Sequence, residues 1–150
     1  MSLDKDIRTA KFRNDNHRAI VNLIFTHNWI MERNKQIFDR GDITPQQYNI
    51  LRILRGAQAP ISTLQIRQRM LDKMSDTSRI VDRLLKKELV SKEICATDKR
   101  LVDVSITPKG LELLESLEQY NEEMDSSLNK LTNSEVKALN QLLDKIRGSE

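Results

Sequence analysis

The sequence is poor in the residues that build covalent links, metal centres or catalytic sites. It contains one cysteine, Cys95, and two histidines. One cysteine cannot form an intrachain disulfide, and so few His and Cys donors argue against a metal site. No Gly-rich phosphate-binding loop is present. The two aspartates Asp98 and Asp103 are expected to be open to water rather than set in a cleft. The sequence therefore predicts a protein that is not an enzyme, with no catalytic residue, no metal and no cofactor.

Long apolar runs are also absent. No stretch approaches the roughly 18 apolar residues that a membrane-spanning helix needs. Residues 1–13 alternate in charge and lack the apolar segment of a secretory signal. These absences predict a cytoplasmic protein with no membrane partner, and the length of 150 residues predicts one domain over residues 1–150.

The charge is distributed unevenly along the chain, although the net charge is only +3. Residues 1–60 carry 10 Lys and Arg against 6 Asp and Glu, and residues 61–110 carry 11 against 7. Residues 111–150 reverse the balance, with 4 against 9. A basic middle followed by an acidic end suggests that the middle contacts a polyanion. Surface charge is often uneven by chance, so this asymmetry alone weighs little.

Several helix starts are marked by capping sequences. A Ser or Thr stands three residues before Gln or Glu at Thr44, Ser62 and Thr132, and Thr107-Pro108 marks another start. The predicted helices run from about Ile7 to Asp39, from Pro45 to about Arg55, from Thr63 to about Leu71 and from Asp76 to about Lys87. Gly41 and Gly56 are expected to end the first two. Apolar stripes at helical spacing over 114–131 and 136–146 predict two C-terminal helices.

The hydrophobic period changes from helical to alternating after the fourth helix. Residues 90–94 and 102–106 alternate apolar and polar side chains, which predicts two strands, with Ile94 in a core-facing position. Residues 96–100 between them form a charged hairpin tip. Because two strands alone are marginal in water, the hairpin is expected to lean on the helices.

A short helix, a turn, a second helix and a β-hairpin describe a winged helix-turn-helix. The second helix of such a motif fits the major groove of B-DNA. The fourth helix has an apolar face and a polar face, and we expect these side chains to point outward: Ser75, Ser78, Arg79, Asp82, Arg83 and Lys86. Ser and Arg near the helix start could reach base edges, and Arg83 and Lys86 could meet phosphates. An ordinary charged surface helix is the alternative.

The hairpin tip carries Asp98, Lys99 and Arg100. A narrow minor groove concentrates negative potential, which an inserted arginine senses. Asp98 could orient the Arg100 guanidinium and also set the turn through the backbone. A solvated charged turn is the alternative interpretation.

Two stretches together resemble the multiple antibiotic resistance regulator (MarR) family. Residues 98–110, with Asp98 and Arg100 two apart and Thr107-x-x-Gly110 opening the next helix, are similar to the family's wing signature, and residues 75–90 resemble its recognition helix. The order of elements matches from about residue 10 to about residue 147. The resemblance implies a mainly α fold with a small β-hairpin wing. It places a winged helix-turn-helix DNA-binding region over 44–110 and dimerisation helices over 7–40 and 111–147.

The resemblance also implies a homodimer that binds double-stranded DNA. By the family pattern, Ser75, Ser78, Arg79 and Arg83 would contact the major groove or adjacent phosphates, and Asp98 and Arg100 would make the wing contact. The terminal apolar stripes independently favour a partner, because helices with such stripes need to be covered. The predicted function is a sequence-specific transcriptional regulator, more often a repressor, that binds a pseudo-palindromic operator. The alternative is a winged-helix protein-interaction module without specific DNA binding.

Three positions depart from the family pattern. Glu88 stands where Gly is common after the recognition helix, and because Glu is a poor left-handed residue the helix is expected to end differently. The turn over 71–74 lacks a frequent Gly. Arg67 replaces a commonly small residue. These departures leave the docking angle of the recognition helix open.

Family members often respond to small aromatic or phenolic compounds, so the resemblance implies such an effector. His27, on the inner stripe of the first helix, could line a ligand cleft with Trp29 or Met31 nearby. A buried, hydrogen-bonded core histidine is the alternative for His27. Other members respond to cysteine oxidation near the N-terminal helix. Cys95 lies elsewhere, at the end of the first wing strand, and an unremarkable small residue is the interpretation we favour over a redox sensor.

Overall fold

A computed structural model describes residues 2–7, 11–95, 97–100 and 102–148. The helices are α1 (Leu3–Ile7), α2 (Asp15–Arg40), α3 (Pro45–Ala57), α4 (Thr63–Arg69), α5 (Thr77–Lys86), α6 (Pro108–Glu118), α7 (Asn121–Asp125) and α8 (Asn133–Ile146), with a 3₁₀ turn at Ser126–Leu128. The strands are β1 (Ile61–Ser62), β2 (Val90–Ile94) and β3 (Val102–Ile106). The predicted mainly helical fold with a small β wing is confirmed. Across these ranges, none of the helices is both long enough and apolar enough to span a bilayer.

The N-terminal region corrects the prediction of one helix from about Ile7. The long helix α2 begins at Asp15, because Asn14 has an extended backbone and its side chain accepts a hydrogen bond from the His17 N–H at 2.8 Å. Such a cap satisfies one of the unpaired N–H groups at the helix start and ends helical geometry there. The preceding α1 is a separate short helix, and residues 8–10 lie outside the described part of the chain.

The capping boxes at Thr44, Ser62 and Thr132 all form as predicted. The Thr132 backbone N–H donates to Glu135 at 2.7 Å, which lowers the pKa of that carboxyl. The expected helix ends are less accurate. The helix α3 continues through Gly56 and ends when Gln58 turns left-handed, at a φ of 55°. The helix α4 ends at Arg69, two residues before the expected end at Leu71.

The sheet contains one strand more than predicted. The order is β1-β3-β2 and both pairings are antiparallel, with Ile61 opposite Val104 and Val90 opposite Ile106. The strand β1 has two residues, which is too short to show an alternating pattern in the sequence. Ala96 and Leu101, at the base of the predicted hairpin tip, lie outside the described residues.

The core lies among the helices α2 to α6 and the sheet. Its most enclosed side chains are each about 2% exposed or less: Ile37, Ile50, Leu51, Ile66, Met70, Val81, Leu84, Val104, Leu114 and Leu117. Full burial of a side chain of this size stabilises the fold by about 1.5–3 kcal/mol. Because α5 contributes Val81 and Leu84, the core fixes which face of α5 points outward.

The expected core position of Ile94 is wrong. Ile94 is on the same sheet face as Val90, as the alternation predicted, but its side chain is 71% exposed. Its cross-strand neighbour Val102 is 36% exposed. The period of two determines the face of a strand and not whether another element covers that face. The outer half of the hairpin therefore extends beyond the core.

Residues 119–150 form a compact unit of their own, separate from residues 1–118. The predicted helical stripe over 114–131 is interrupted, since α6 ends at Glu118 and α7 begins at Asn121. In α8 no residue is buried, and Leu142 and Ile146 are 60% and 69% exposed.

Candidate DNA interface

The outer face of α5 is polar and exposed, as predicted. Thr77, Val81 and Leu84 are buried on the opposite face. Five predicted outward residues are exposed: Ser78, Arg79, Asp82, Arg83 and Lys86. Ser75 differs from them, since it precedes the helix, is only partly exposed and has an enclosed hydroxyl.

Local hydrogen bonds hold the start of α5. The Asp76 side chain accepts from the Arg79 N–H at 3.2 Å and lies 3.9 Å from the Arg79 Nε atom. The preceding turn is attached to α3, because the Leu71 N–H donates to Asn49 Oδ1 at 2.9 Å. Asp72 Oδ1 accepts from the Met74 N–H at 3.0 Å, a turn that needs no glycine. The turn therefore forms without the Gly that is frequent in the family.

The turn also exposes two large apolar side chains that sequence reasoning missed. Leu71 is 88% exposed and Met74 is 93% exposed. Leu71 was expected to lie at the end of a helix. No periodicity could have predicted this exposure, because the turn is too short to have one.

The end of α5 corrects the expectation for Glu88. The residue adopts the left-handed conformation, at a φ of 60°. The Leu89 N–H donates to the Leu84 carbonyl at 3.0 Å and the Glu88 N–H donates to the Leu85 carbonyl at 2.9 Å. This is the Schellman pattern that usually employs glycine. The helix thus ends in the way a glycine would end it, and Glu88 bears the strain.

The Thr-x-x-Gly motif attaches this helix end to α6. The Thr107 hydroxyl donates to the Glu88 carbonyl at 2.8 Å, and the Thr107 N–H donates to the Leu89 carbonyl at 3.1 Å. Gly110 is buried and lies so close that an added Cβ would overlap the Leu89 carbonyl oxygen and lie 2.7 Å from Ile106 Cγ1. Close approach, and not an unusual φ, is therefore the reason for glycine here.

An ion pair joins α5 to the wing. Lys92 Nζ on β2 donates to Asp82 Oδ1 on α5 at 2.8 Å. This hydrogen bond and the charge of Lys92 lower the pKa of Asp82. Sequence reasoning placed Asp82 on the outer face but did not pair it, because the two residues are on different elements.

The wing tip has the arrangement predicted for Asp98 and Arg100. Asp98 Oδ1 accepts from the Arg100 backbone N–H at 3.0 Å and from its Nε atom at 3.1 Å, and Oδ2 accepts from Nη2 at 3.2 Å. These bonds to Arg100 lower the pKa of Asp98. The Arg100 side chain is nevertheless 90% exposed, and Lys99 beside it is exposed as well. The tip therefore presents a guanidinium of defined orientation to solvent.

Cys95 follows β2 and is partly exposed. Its Sγ atom lies 3.2 Å from Thr97 Oγ1. Hydrogen bonding to Thr97 lowers the pKa of the thiol.

Two crevices open on the part of the chain that carries the wing. One, of about 460 Å³, lies between α4 and the start of α5. The other, of about 420 Å³, lies between the α2–α3 turn, the end of α5 and the start of α6. There Lys87 Nζ donates to the Asp42 carbonyl and Lys109 Nζ donates to the Lys87 carbonyl at 3.0 Å.

The three predicted ligand residues line neither crevice. His27 is exposed on α2, so the alternative of a buried core histidine is wrong for this chain. Helical spacing identified a stripe, but much of that stripe is uncovered here: Ile20 and Leu23 are 56% and 40% exposed. Trp29 and Met31 are partly buried, and the Arg33 guanidinium lies 5.0 Å from the Trp29 ring centre.

Comparison with known proteins places this geometry in a family. A profile of the MarR family matches residues 43–102, which span α3 to the start of β3. The chain carries a MarR-family domain. A curated relative, the HTH-type transcriptional regulator MhqR of Bacillus subtilis (strain 168), is 29% identical over 116 residues, covering 75% of this chain and 77% of MhqR.

Solved structures of MarR-type regulators share the fold. A cysteine-to-serine mutant of MarR from E. coli, crystallised with operator DNA, has a TM-score of 0.82 at 23% identity, covering 91% of this chain and 99% of that chain. BpsR of Bordetella bronchiseptica has a TM-score of 0.79 at 22% identity, covering 95% of this chain and 99% of the BpsR chain. Residues 43–102 thus match the MarR family, and the chain shares the winged-helix fold of these structures.

Proposed function

We propose that the protein is a homodimeric repressor that binds a pseudo-palindromic operator through α5 and the wing. The wing tip is the observation that carries this proposal. Asp98 holds the Arg100 guanidinium through two side-chain bonds while leaving it 90% exposed. An arginine oriented in advance loses less conformational freedom when it enters a narrow, negatively charged minor groove. Among the described residues Asp98 orients this cation, and the guanidinium still faces solvent, where DNA could meet it.

The exposed face of α5 supplies the major-groove contacts in this proposal. Ser78 and Arg79 lie in the first turn, where a recognition helix meets base edges. Arg83 and Lys86 lie in the last turn and would contact phosphates. The Asp82–Lys92 pair links α5 to the wing, so both elements would meet the DNA together.

Exposed apolar side chains on α2 and α8 support the dimer. Ile20, Leu23 and Ile24 on α2 are 40–58% exposed, and Leu142 and Ile146 on α8 are more exposed still. Apolar surfaces of this kind mark association sites. A two-fold dimer would place two α5 helices about one turn of DNA apart, roughly 10 base pairs. Sedimentation of the protein should give a dimer and Leu142→Lys should shift it toward monomer, whereas Lys137→Glu on the same helix should not. A monomeric wild type would contradict the proposal.

A small aromatic or phenolic ligand is the proposed releasing signal. In BpsR, DNA binding is regulated by 6-hydroxynicotinic acid. We place the ligand beside the partly buried Trp29 and Met31, near His27. Trp29 is the single tryptophan, so its fluorescence would report binding directly. A panel of aromatic carboxylates and phenols should contain a compound that both changes this fluorescence and releases DNA. A ligand that releases DNA while Trp29→Phe and Met31→Ala leave its affinity unchanged would place the site elsewhere.

The decisive experiment is selection of bound duplexes from a random DNA pool, followed by affinity measurement with two wing variants. Enrichment of an inverted repeat is expected. Arg100→Ala should weaken binding by about 1–3 kcal/mol and relax the preference for A·T pairs under the wing. Lys99→Ala removes the same charge at the same tip without disturbing the Asp98 pair, so its effect should be smaller. Equal affinities of wild type and Arg100→Ala would remove the wing from the interface.

A second candidate function is a protein-interaction module. Leu71 and Met74, almost fully exposed in the turn before α5, favour it, because exposed apolar side chains commonly contact proteins. The salt dependence of DNA binding separates the two functions, since neutralised phosphates release counterions and give a steep slope. Weak binding without sequence preference would favour the interaction module.

A further inference from the structure

A crevice of about 460 Å³ lies between α4 and the start of α5. Its walls come from Thr63, Leu64 and Arg67 on α4 and from residues 75–78 at the start of α5. It therefore lies beside the end of α5 that carries Ser78 and Arg79, the proposed base-reading residues. None of the family-based assignments accounts for Arg67, Thr77 or Leu64.

Two hydroxyl groups in this lining have no hydrogen-bond partner among the described residues. They are Ser75 Oγ and Thr77 Oγ1, and both atoms are enclosed. The whole Thr77 residue is only 4% exposed. Buried hydroxyls are normally hydrogen-bonded, so an unpaired one needs an explanation such as an absent ligand. Both residues line the crevice.

The charges around the crevice favour an anion. The Arg67 side chain is exposed and makes no ion pair or hydrogen bond within the described ranges. Asp76 is the acidic residue of the lining, but its carboxylate already caps the Arg79 N–H and faces the Arg79 side chain. The cap leaves other N–H groups of the first α5 turn available, and the helix start attracts negative charge. Leu64 adds an apolar edge, 60% exposed.

We infer that this crevice binds one phosphodiester of the DNA backbone, held by the Arg67 guanidinium and the Ser75 and Thr77 hydroxyls, with Leu64 against the adjoining deoxyribose. This inference rests on the proposed function. It assigns to Arg67 the role of fixing how far α5 enters the groove. Such a contact positions the protein on DNA and carries no sequence information itself.

A charge variant with a matched control tests the site in the full-length protein. Arg67→Gln should weaken binding about tenfold, equally for operator and unrelated duplex, and lower the slope of log affinity against log salt by about 0.9 per protomer. Arg69→Gln removes the same charge from the same helix, where Arg69 is exposed but outside the crevice lining. Its slope should stay nearer to that of wild type. Equal slopes for Arg67→Gln and wild type would overturn the inference.

A second variant separates binding from folding. Thr77→Val removes the unpaired hydroxyl and keeps the shape, so the melting temperature should hold or rise, because replacing an unsatisfied polar group by an apolar one removes its burial cost. DNA affinity should nevertheless fall about fivefold, with the salt slope unchanged. A lower melting temperature together with unchanged affinity would show that the hydroxyl is structural and would overturn its role.

A scan of the operator with single methylphosphonates identifies the phosphate. Wild type should lose about tenfold in affinity at one phosphate in each half-site, and Arg67→Gln should lose nothing further there, because the two partners form one interaction. If the losses in affinity from the methylphosphonate and from Arg67→Gln add independently, Arg67 does not contact that phosphate. The proposed function fails if the wild-type protein selects no operator. The crevice inference fails if the wild-type protein binds an operator and Arg100→Ala weakens that binding, but the crevice variants do not weaken it.

Discussion

Glu88→Gly is the substitution whose effect the structure predicts most directly. Glu88 follows α5 with a φ of 60°, a region that side chains with a Cβ atom rarely adopt. The conformation is imposed by the two Schellman bonds and by the Thr107 hydroxyl on the Glu88 carbonyl. None of these three bonds uses the Glu88 side chain, so Gly retains all of them.

The magnitude follows from two opposing terms. Left-handed backbone costs a residue with a Cβ atom about 1–2 kcal/mol, and Gly removes that cost. Gly also loses more backbone freedom on folding, by about 0.5–1 kcal/mol. The Glu88 carboxylate lies 3.9 Å from Lys109 Nζ with both side chains largely exposed, so losing that ion pair changes little. The expected net gain in the free energy of unfolding is about 0.5–1 kcal/mol.

Urea denaturation at one fixed protein concentration measures this gain, because association would make stability depend on concentration. The midpoint should rise while the m-value stays constant. Glu88→Ala is the matched control: it removes the same carboxylate but keeps the Cβ atom and the strain, so its stability should stay close to wild type. If Glu88→Gly and Glu88→Ala unfold at the same urea concentration, the left-handed strain does not exist in solution. Operator affinity should be unchanged in both variants.

Two further predictions concern the neighbouring contacts of α5. Gly110→Ala should destabilise the fold by about 1–3 kcal/mol, since its Cβ would overlap the Leu89 carbonyl. The control Gly56→Ala should not destabilise the fold, because nothing lies within 4 Å of the added Cβ atom. Similar urea midpoints for the two variants would contradict the packing argument. Lys92→Met should leave the free energy of unfolding within about 0.5 kcal/mol of wild type, because the Asp82–Lys92 pair is partly exposed. The same substitution should weaken operator binding, because the wing loses its link to α5. An affinity equal to that of the control Lys145→Met would show that the pair does not position the wing.

Most of the fold was predictable from local signals in the sequence. The strands at 90–94 and 102–106 match the structure residue for residue, because strict alternation is a strong signal and the charged tip bounds it. Three capping boxes predicted three helix starts correctly, since both hydrogen bonds of a capping box are made within four residues. Local chemistry decides such features, so no tertiary information was needed.

Features that depend on distant contacts could not be predicted in the same way. Ile94 shares its face with Val90, yet only the three-dimensional structure shows that the face is uncovered at that end. Glu88 contradicts its own backbone preference because tertiary bonds from Thr107 outweigh it. The Asp82–Lys92 pair joins two elements, and the crevice beside α5 exists only where α4 packs against it. The candidate site was therefore predictable as a set of outward residues but not as a surface with partners.

The contacts around α5 indicate how its position can be regulated. Its start is held by the Asp76 cap beside a turn hydrogen-bonded to Asn49, its middle by Lys92 and its end by Thr107. A helix held at three places moves with its surroundings and does not bend alone, since close-packed contacts resist continuous deformation. A ligand that releases DNA would then act by changing the separation of two winged units in the proposed dimer. On this view α2, where Trp29 lies, is a more effective place for a signal than α5 itself.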